Sequence, residues 1–360
     1  MEMQFIYADN AATTKMSDVA VKAMLPYLQE TYANASSVHI LGQRSAAALF
    51  SARQQLAQLL HCAPKELFFT SGGSEADNQA LLSAAAIGRQ QGKRHIISTA
   101  MEHHAILHTL EALDEQGFTV TLLRPQKDGI VTAAQVAAAL TDETCLVSVM
   151  YANNETGAIQ PIKEIGALCR QRGVLFHTDA VQAAGHVDID VQRDNIDMLS
   201  LSAHKFHGPK GVGLLFAKSS IQLTSLIRGG GQERGKRAGT ENLPGIVGLA
   251  AAFKDAQEQL APNTAYITNL RDALRAGLEQ IPGASFNGSR EHCLPGTVNY
   301  SFQGVNGEAL LSLLANAGIC CSSGSACSAG SLEPSHVLLA LGLSSEMAQS
   351  ALRFSLCTYN

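Results

Sequence analysis

Apolar residues along this chain follow two alternating rhythms. Short, nearly continuous apolar runs, of the kind that fill a strand buried on both faces, occur at 66–70, 95–98, 119–123, 145–150, 174–179, 198–202 and 212–217. Between several of them, at 45–60, 75–86, 105–116, 132–140 and 162–172, apolar positions recur at helical spacing. Strands alternating with helices predict an α/β fold, a mostly parallel central sheet with helices on both faces. After about residue 242 the rhythm changes. A long helical stretch over 246–259 leads through Ala261-Pro-Asn263 to a second helix over 265–279, then to irregular segments with one strand-like run at 297–302. The pattern predicts a large domain over 15–255 and a smaller α+β domain built from 1–14 with 256–360.

Composition narrows the classes. Of 360 residues 46% are hydrophobic and 16% charged, which describes an ordinary globular chain with ample core. The formal net charge of −5 is spread without long blocks, so neither nucleic acid nor an anionic membrane is expected as a bulk partner. The start, Met1-Glu-Met-Gln-Phe-Ile-Tyr-Ala-Asp9, lacks the basic and apolar regions of a signal peptide, and no later run is long and apolar enough to cross a bilayer. A cytoplasmic protein is expected. Its eight cysteines are then reduced thiols, each either buried filler or chemistry. The segment 320–331 is almost all small residues, a composition that behaves as a flexible loop.

Several strand ends carry groups with chemical potential. The run 198–202 delivers Ser202, His204 and Lys205, and a lysine desolvated at a strand end becomes a nucleophile toward carbonyls. Thr70-Ser-Gly-Gly-Ser-Glu75 offers glycines, a helix start and the Ser74 hydroxyl, which suit a phosphate; a plain helix cap is the simpler alternative. Asp179 ends the run 174–179 and can hold a positive charge on a heterocyclic nitrogen, or cap a helix. His103 precedes a helix and can stack on an aromatic ring. His104 and His108 share a helix face, but no third metal ligand stands at suitable spacing, so no metal is expected. Gly230-x-x-x-x-Gly235-Lys236 approaches a nucleotide P-loop, yet Arg237 occupies the position of the metal-binding hydroxyl. That basic, glycine-rich loop suits a second anion contact, a subunit interface or a solvated loop. Cys327 lies in the small-residue segment, where a thiol can swing between a buried site and an outside acceptor; Cys320 and Cys321 have no assignment.

In combination and order these motifs resemble the cysteine desulfurases of the NifS/IscS type, pyridoxal phosphate (PLP) enzymes of fold type I in aminotransferase class V. The resemblance runs from Tyr7-Ala-Asp-Asn-Ala-Ala-Thr-Thr14 through Asn34-Ala-Ser-Ser37, Glu102-His103, Asn153-Asn-Glu-Thr-Gly157, His177-Thr-Asp-Ala-Val-Gln182, Ser202-Ala-His-Lys205 and Gly239-Thr240 to Ser322-Ser-Gly-Ser-Ala-Cys327 and Arg353-Phe-Ser355. It implies that Lys205 carries PLP, His103 stacks on its ring and shuttles protons, Asp179 pairs with the ring nitrogen and Gln182 meets the ring hydroxyl. Gly73, Ser74, Ser202 and His204 would hold the phosphate, and Thr240 would reach the phosphate of a second subunit in a homodimer. Asn34, Asn154 and Arg353 would bind the substrate amino acid, with Asn154 also beside the cofactor. Cys327 would take sulfur from L-cysteine as a persulfide, leaving L-alanine, and pass it to a sulfur-acceptor protein such as an iron-sulfur scaffold, for cluster assembly or thiolation. The alternatives are a selenocysteine lyase or another class V PLP enzyme, and a non-catalytic interaction protein on the same fold.

Overall fold

The computed structural model describes residues 5–324 and 333–360. Strand β1 (Ile6–Tyr7) is followed by helices α1 (Asp18–Gln29) and α2 (Ile40–Leu59), and then by alternation: β2 (Leu67–Thr70), α3 (Gly73–Gln90), β3 (His95–Thr99), α4 (His104–Asp114), β4 (Thr119–Leu123), α5 (Ala133–Ala139), β5 (Thr144–Ser148), α6 (Ile162–Arg172) and β6 (Leu175–Asp179). Two more strands, β7 (Met198–Ser202) and β8 (Gly213–Ala217), complete a seven-stranded sheet of order β2-β8-β7-β6-β5-β3-β4. Only β8 runs antiparallel to its neighbours. The C-terminal ends of all the other strands therefore meet along one edge, where ligands of open α/β sheets bind.

The continuous apolar runs are explained by burial on both faces. Ile96, Leu146 and Leu215 point into one core with Leu81 and Leu110, while the adjacent Ile97, Val147 and Leu214 point into the other with Leu56, Phe176 and Phe253. Alternate positions of one strand thus feed two cores, each buried Leu or Ile contributing about 1.5–3 kcal/mol. Edge strand β4 has no fully buried position, and its Thr119 and Leu122 are exposed.

The remaining chain forms α7 (Leu243–Glu258), α8 (Leu260–Leu278), β9 (Ala284–Phe286), β10 (Thr297–Phe302), α9 (Gly307–Asn316), β11 (Ile319–Cys320), α10 (His336–Ala340), α11 (Ser345–Gln349) and β12 (Ala351–Ser355). An antiparallel sheet of order β12-β10-β9 packs around Val298, Tyr300, Leu352 and Phe354. The N-terminal residues join this part: β1 pairs with β11, Ala8 enters its core and Asp9 bridges to Ser355.

Some boundaries differ from those expected. Helix α2 starts at Ile40 rather than 45, because the His39 ring accepts the Gly42 N–H at 3.2 Å and caps it there. Pro262 does not separate two helices. It lies in the first turn of α8, where a proline N–H would have no helical partner anyway. Helix α1 was not anticipated, and its exposed Val19, Val21, Leu25 and Leu28 show why: its apolar residues do not form a single buried stripe. No described helix is long and apolar enough to cross a membrane.

Candidate active site

Five strand ends converge on a cavity of about 200 Å³. From β2, the turn Ser71-Gly-Gly leads into α3, whose N-cap Gly72 supplies no side-chain acceptor, so first-turn N–H groups are left for a ligand. This turn is packed from both sides. A Cβ on Gly73 would stand 2.6 Å from Cγ2 of Val181, and one on Gly213 would stand 2.7 Å from the Gly72 backbone. From β3 comes His103, the N-cap of α4. Its Nδ1 accepts the Ala105 N–H at 3.1 Å, so the proton of a neutral ring sits on Nε2. From β5 comes Asn154, from the tip of β6 Asp179 and Gln182, and from β7 a single 3-10 turn, Ala203–Lys205, that places Ser202, His204 and Lys205 at the rim.

The N-terminal segment closes this edge. Lys205 Nζ donates to the carbonyls of Ala11 (2.6 Å) and Ala12 (2.9 Å), and Gln182 Nε2 donates to the Ala11 carbonyl at 3.0 Å. Thr14 N–H and hydroxyl both donate to the His204 carbonyl. The opposite wall is Arg353, which is 1% exposed. Its Nη2 pairs with Asp9 at 2.8 Å and its Nη1 donates to the Asn154 carbonyl at 2.9 Å, whereas its buried Nε has no partner among the described residues. An orphan buried N–H on a cavity-lining guanidinium fits a carboxylate ligand.

Burial dominates the electrostatics. It pushes the Asp179 carboxyl up, while His103, the Val181 N–H at 2.9 Å and Lys205 pull the other way. Burial and then Asp179 hold Asp77 well above the usual carboxylate range. Glu102 is pushed up to about 8 by burial, although Thr99 Oγ1 and the Met150 N–H donate to it at 2.7 and 2.9 Å. His204 is lowered to about 4 by burial and then by Lys205 and Lys210, which leaves it a neutral donor or acceptor at pH 7.

The structure brings Gly73, Ser74, His103, Asn154, Asp179, Gln182, Ser202, His204, Lys205 and Arg353 to one cavity. It does not bring Asn34 or Thr240 there. Asn34 is exposed and its side chain accepts the Ser36 N–H at 2.8 Å. Thr240 is exposed and lines a separate cavity with Ser71 and Arg237. The glycine-rich loop is tied inward, Glu233 accepting from Arg53 and from the Phe69 N–H, and Arg237 pairing with Glu75 at 3.0 Å. Cys327 lies outside the described residues. The described chain on either side of it is anchored at the cavity: Ser322 exchanges backbone hydrogen bonds with Arg353, Ser335 Oγ donates to Glu155, and His336 Nε2 donates to the Glu102 carbonyl at 3.0 Å. Among the described residues no group of three His, Cys, Asp or Glu side chains has a metal-holding geometry.

Sequence reasoning missed Asp77, Ala11, Ala12 and Asp9. The last three stand inside the quoted Tyr7–Thr14 motif, but carbonyl acceptors leave no side-chain signature. Asp77 stands three residues after Ser74, on the same helix face, and that spacing was the available signal. The donor set suits PLP: a strand-end lysine, an anion-binding helix start, a buried carboxylate for a ring nitrogen and a histidine at the rim.

The family model for aminotransferase class V matches residues 6–360. A cysteine desulfurase IscS from Clostridium botulinum is 49% identical over 358 residues, 99% of this chain and 90% of that protein. One from Methanosarcina thermophila is 47% identical over 359 residues, covering 100% of this chain and 89% of its own length. Among solved structures, a NifS-like protein superposes with a TM-score of 0.93 at 38% identity, covering 99% of this chain and 95% of its own. A structure described as SspA in complex with cysteine superposes with a TM-score of 0.86 at 37% identity, covering 98% of both chains.

Proposed function

We propose, for a chain that belongs to the aminotransferase class V family and is a cysteine desulfurase, that the strand-end cavity is where sulfur is taken from L-cysteine, with Lys205, Asp179 and His103 as its working groups. The observation that carries this reading is the convergence of those three side chains with the open N-terminus of α3 in one cavity. The family works with PLP. Here Lys205 would hold it, Gly73, Ser74, Ser202 and His204 would take its phosphate, and Asp179 and Gln182 would meet its ring. When bound, PLP supplies an electron sink that stabilises negative charge at the substrate Cα.

The chain's own groups do the rest. Arg353 and Asn154 receive the substrate carboxylate and fix the Cα–H bond toward Lys205. Lys205 Nζ takes the Cα proton, and the neighbouring Ala11 and Ala12 carbonyls accept from the resulting ammonium as they do in this structure. Asp179 keeps a cationic ring N–H paired in a site that excludes water. His103, whose Nδ1 is occupied by the Ala105 N–H, exchanges protons through Nε2. The Cys327 thiolate attacks the substrate sulfur: an S–S bond forms, the C–S bond breaks, and its electron pair stays with the carbon fragment. That fragment takes up protons and leaves as alanine. Gly324 lies three residues before Cys327, a reach of about 10 Å, so the anchoring of Ser322 to Arg353 supports delivery of this thiol to the cavity.

The persulfide then passes to an acceptor protein, for iron-sulfur cluster assembly or thiolation. A homodimer in the cytoplasm completes the reading. The homodimer is supported by the apolar, exposed Leu25, Leu28, Val38 and Ile40 along α1 and the start of α2, and by the exposure of Thr240, which would serve the second subunit's phosphate. The test is the visible spectrum of the purified protein before and after borohydride. A yellow protein whose cofactor becomes fixed to the Lys205 peptide supports the assignment; a colourless protein that takes up no PLP refutes it. In the same assay Cys327→Ser is expected to keep the cofactor and lose sulfide release, and retained release would remove Cys327 from the mechanism.

A further inference from the structure

The floor of the cavity holds a second carboxyl group that the mechanism does not use. Asp77 is 1% exposed, lines the same cavity as Asp179, and presents an Oδ1 with no hydrogen-bond partner among the described residues. It lies one turn into α3, on the helix face that also carries Ser74, and that face packs on β6 and β7. Two buried carboxyl groups in one cavity cannot both be charged without a large cost, so one of them is held neutral.

We propose that Asp77 is a positioning residue for the desulfurase reaction, a carboxylic acid kept neutral beneath the cavity so that the single negative charge of the pair stays on Asp179. This rests on the assignment of Asp179 to the cofactor ring.

The surroundings of the two groups decide where the proton goes. Asp179 has compensation: the Val181 N–H donates to it at 2.9 Å, and His103 and Lys205 both favour its charge. Among the described residues Asp77 has no cation beside it. The nearest basic atom is His177 Nε2 at 3.7 Å, but this ring is fully buried between the hydroxyls of Ser148 (2.9 Å from Nδ1) and Ser200 (3.0 Å from Nε2), and burial holds it down to about 3. It is therefore a neutral imidazole. The other titratable groups facing Asp77 are Asp179 and Glu102, both acids that oppose its ionisation, while the Ser200 hydroxyl alone favours it. The proton settles on the group with less compensation, and Asp179 remains the acceptor that a cationic ring N–H requires. If the proton moved to Asp179, that acceptor would be lost.

Infrared spectra of the full-length chain, with and without added PLP, test the assignment. At pH 7 the carbonyl stretch of protonated carboxylic acids, to which Glu102 also contributes, should lose one group's intensity in Asp77→Asn and none in Asp179→Asn. The reverse pattern would overturn the proposal. In the PLP-loaded enzyme the visible band should show an alkaline step, from ionisation of Asp77, that disappears in Asp77→Asn; a step that persists there counts against it. If Asp77→Asn fails to fold, wild-type protein with carbon-13 aspartate carboxyls decides. One aspartate must titrate far above the usual range, and ordinary titration of all of them would refute the idea. Should no variant and no wild-type preparation take up PLP, the cofactor assignment fails, while the infrared pattern still reports the proton's position.

Discussion

Removal of Asp9 tests whether the wall opposite Lys205 is an electrostatic construction. Arg353 is the largest fully buried side chain among the described residues, and its charged partner is Asp9 at 2.8 Å, with the Asn154 carbonyl as its other acceptor. A guanidinium does not escape by losing its proton, so Asp9→Ala strands a buried cation. Breaking a buried pair in this way costs roughly 3–5 kcal/mol. The Asp9 side chain is 20% exposed, and allowing for solvent screening brings the expectation to about 2–3 kcal/mol. For a chain of this size that is a melting-temperature drop on the order of 5 °C. The assay is urea and thermal unfolding at fixed protein and PLP concentrations, run as a double-mutant cycle with Arg353→Met. In the Arg353→Met background there is no cation to strand, so deleting Asp9 should then cost little and the cycle should return a coupling of at least about 1.5 kcal/mol. The KM for cysteine should rise in Asp9→Ala, because an unpaired Arg353 side chain loses its fixed orientation. A coupling below about 0.5 kcal/mol would refute the reasoning, since the two side chains would then contribute independently.

Two further outcomes follow from close packing and buried ionisation. Gly73→Ala places a Cβ within 2.6 Å of Val181 and should abolish PLP retention in a fluorescence titration, with Val181→Ala restoring it in the double variant; normal binding by the single variant would show that the α3 start has room to move. Glu102, with its folded-state value raised to about 8 from near 4.5, binds its proton more tightly folded than unfolded. Its contribution to stability is complete below the unfolded value and is lost as pH rises through about 8, at a slope of up to about 1.4 kcal/mol per pH unit. Glu102→Gln should flatten that alkaline limb, and an unchanged pH profile of the unfolding midpoint would count against a proton on Glu102.

What the chain's letters revealed depended on whether the relevant interaction is made by a side chain in a periodic element. The strands of the central sheet were legible because burial on both faces demands runs such as Met198–Ser202, and those runs end at groups that line the cavity. Helix α1 was not, because its apolar residues remain exposed and its periodicity does not mark a core. Pro262 misled because a proline in the first turn and a proline between helices read alike until the cap is seen. Asp77 was passed over for a related reason. Between Glu75 and Asn78 it reads as one more polar position on a helix, and only its contact with β6 and β7 separates it from these half-buried neighbours.

The N-terminal motif Tyr7–Thr14 acquires a physical role that its residue types alone did not declare. Asp9 holds Arg353, the carbonyls of Ala11 and Ala12 hold Lys205, Ala11 also holds Gln182, and Thr13 and Thr14 reach the His204 side chain and backbone. These partners lie just after β6, after β7 and on β12, so one short segment ties the Lys205 end of the cavity to its Arg353 end. Its own backbone ladder to the small sheet, Asn10 to Ser355 and Ala8 to Cys320, fixes its position independently of any ligand. Ala11 and Ala12 also line the cavity, so larger side chains there would take up its space. The segment therefore holds Lys205 and Arg353 in one frame, and under the proposed roles of those two residues it fixes the spacing between the proton acceptor and the carboxylate-binding group.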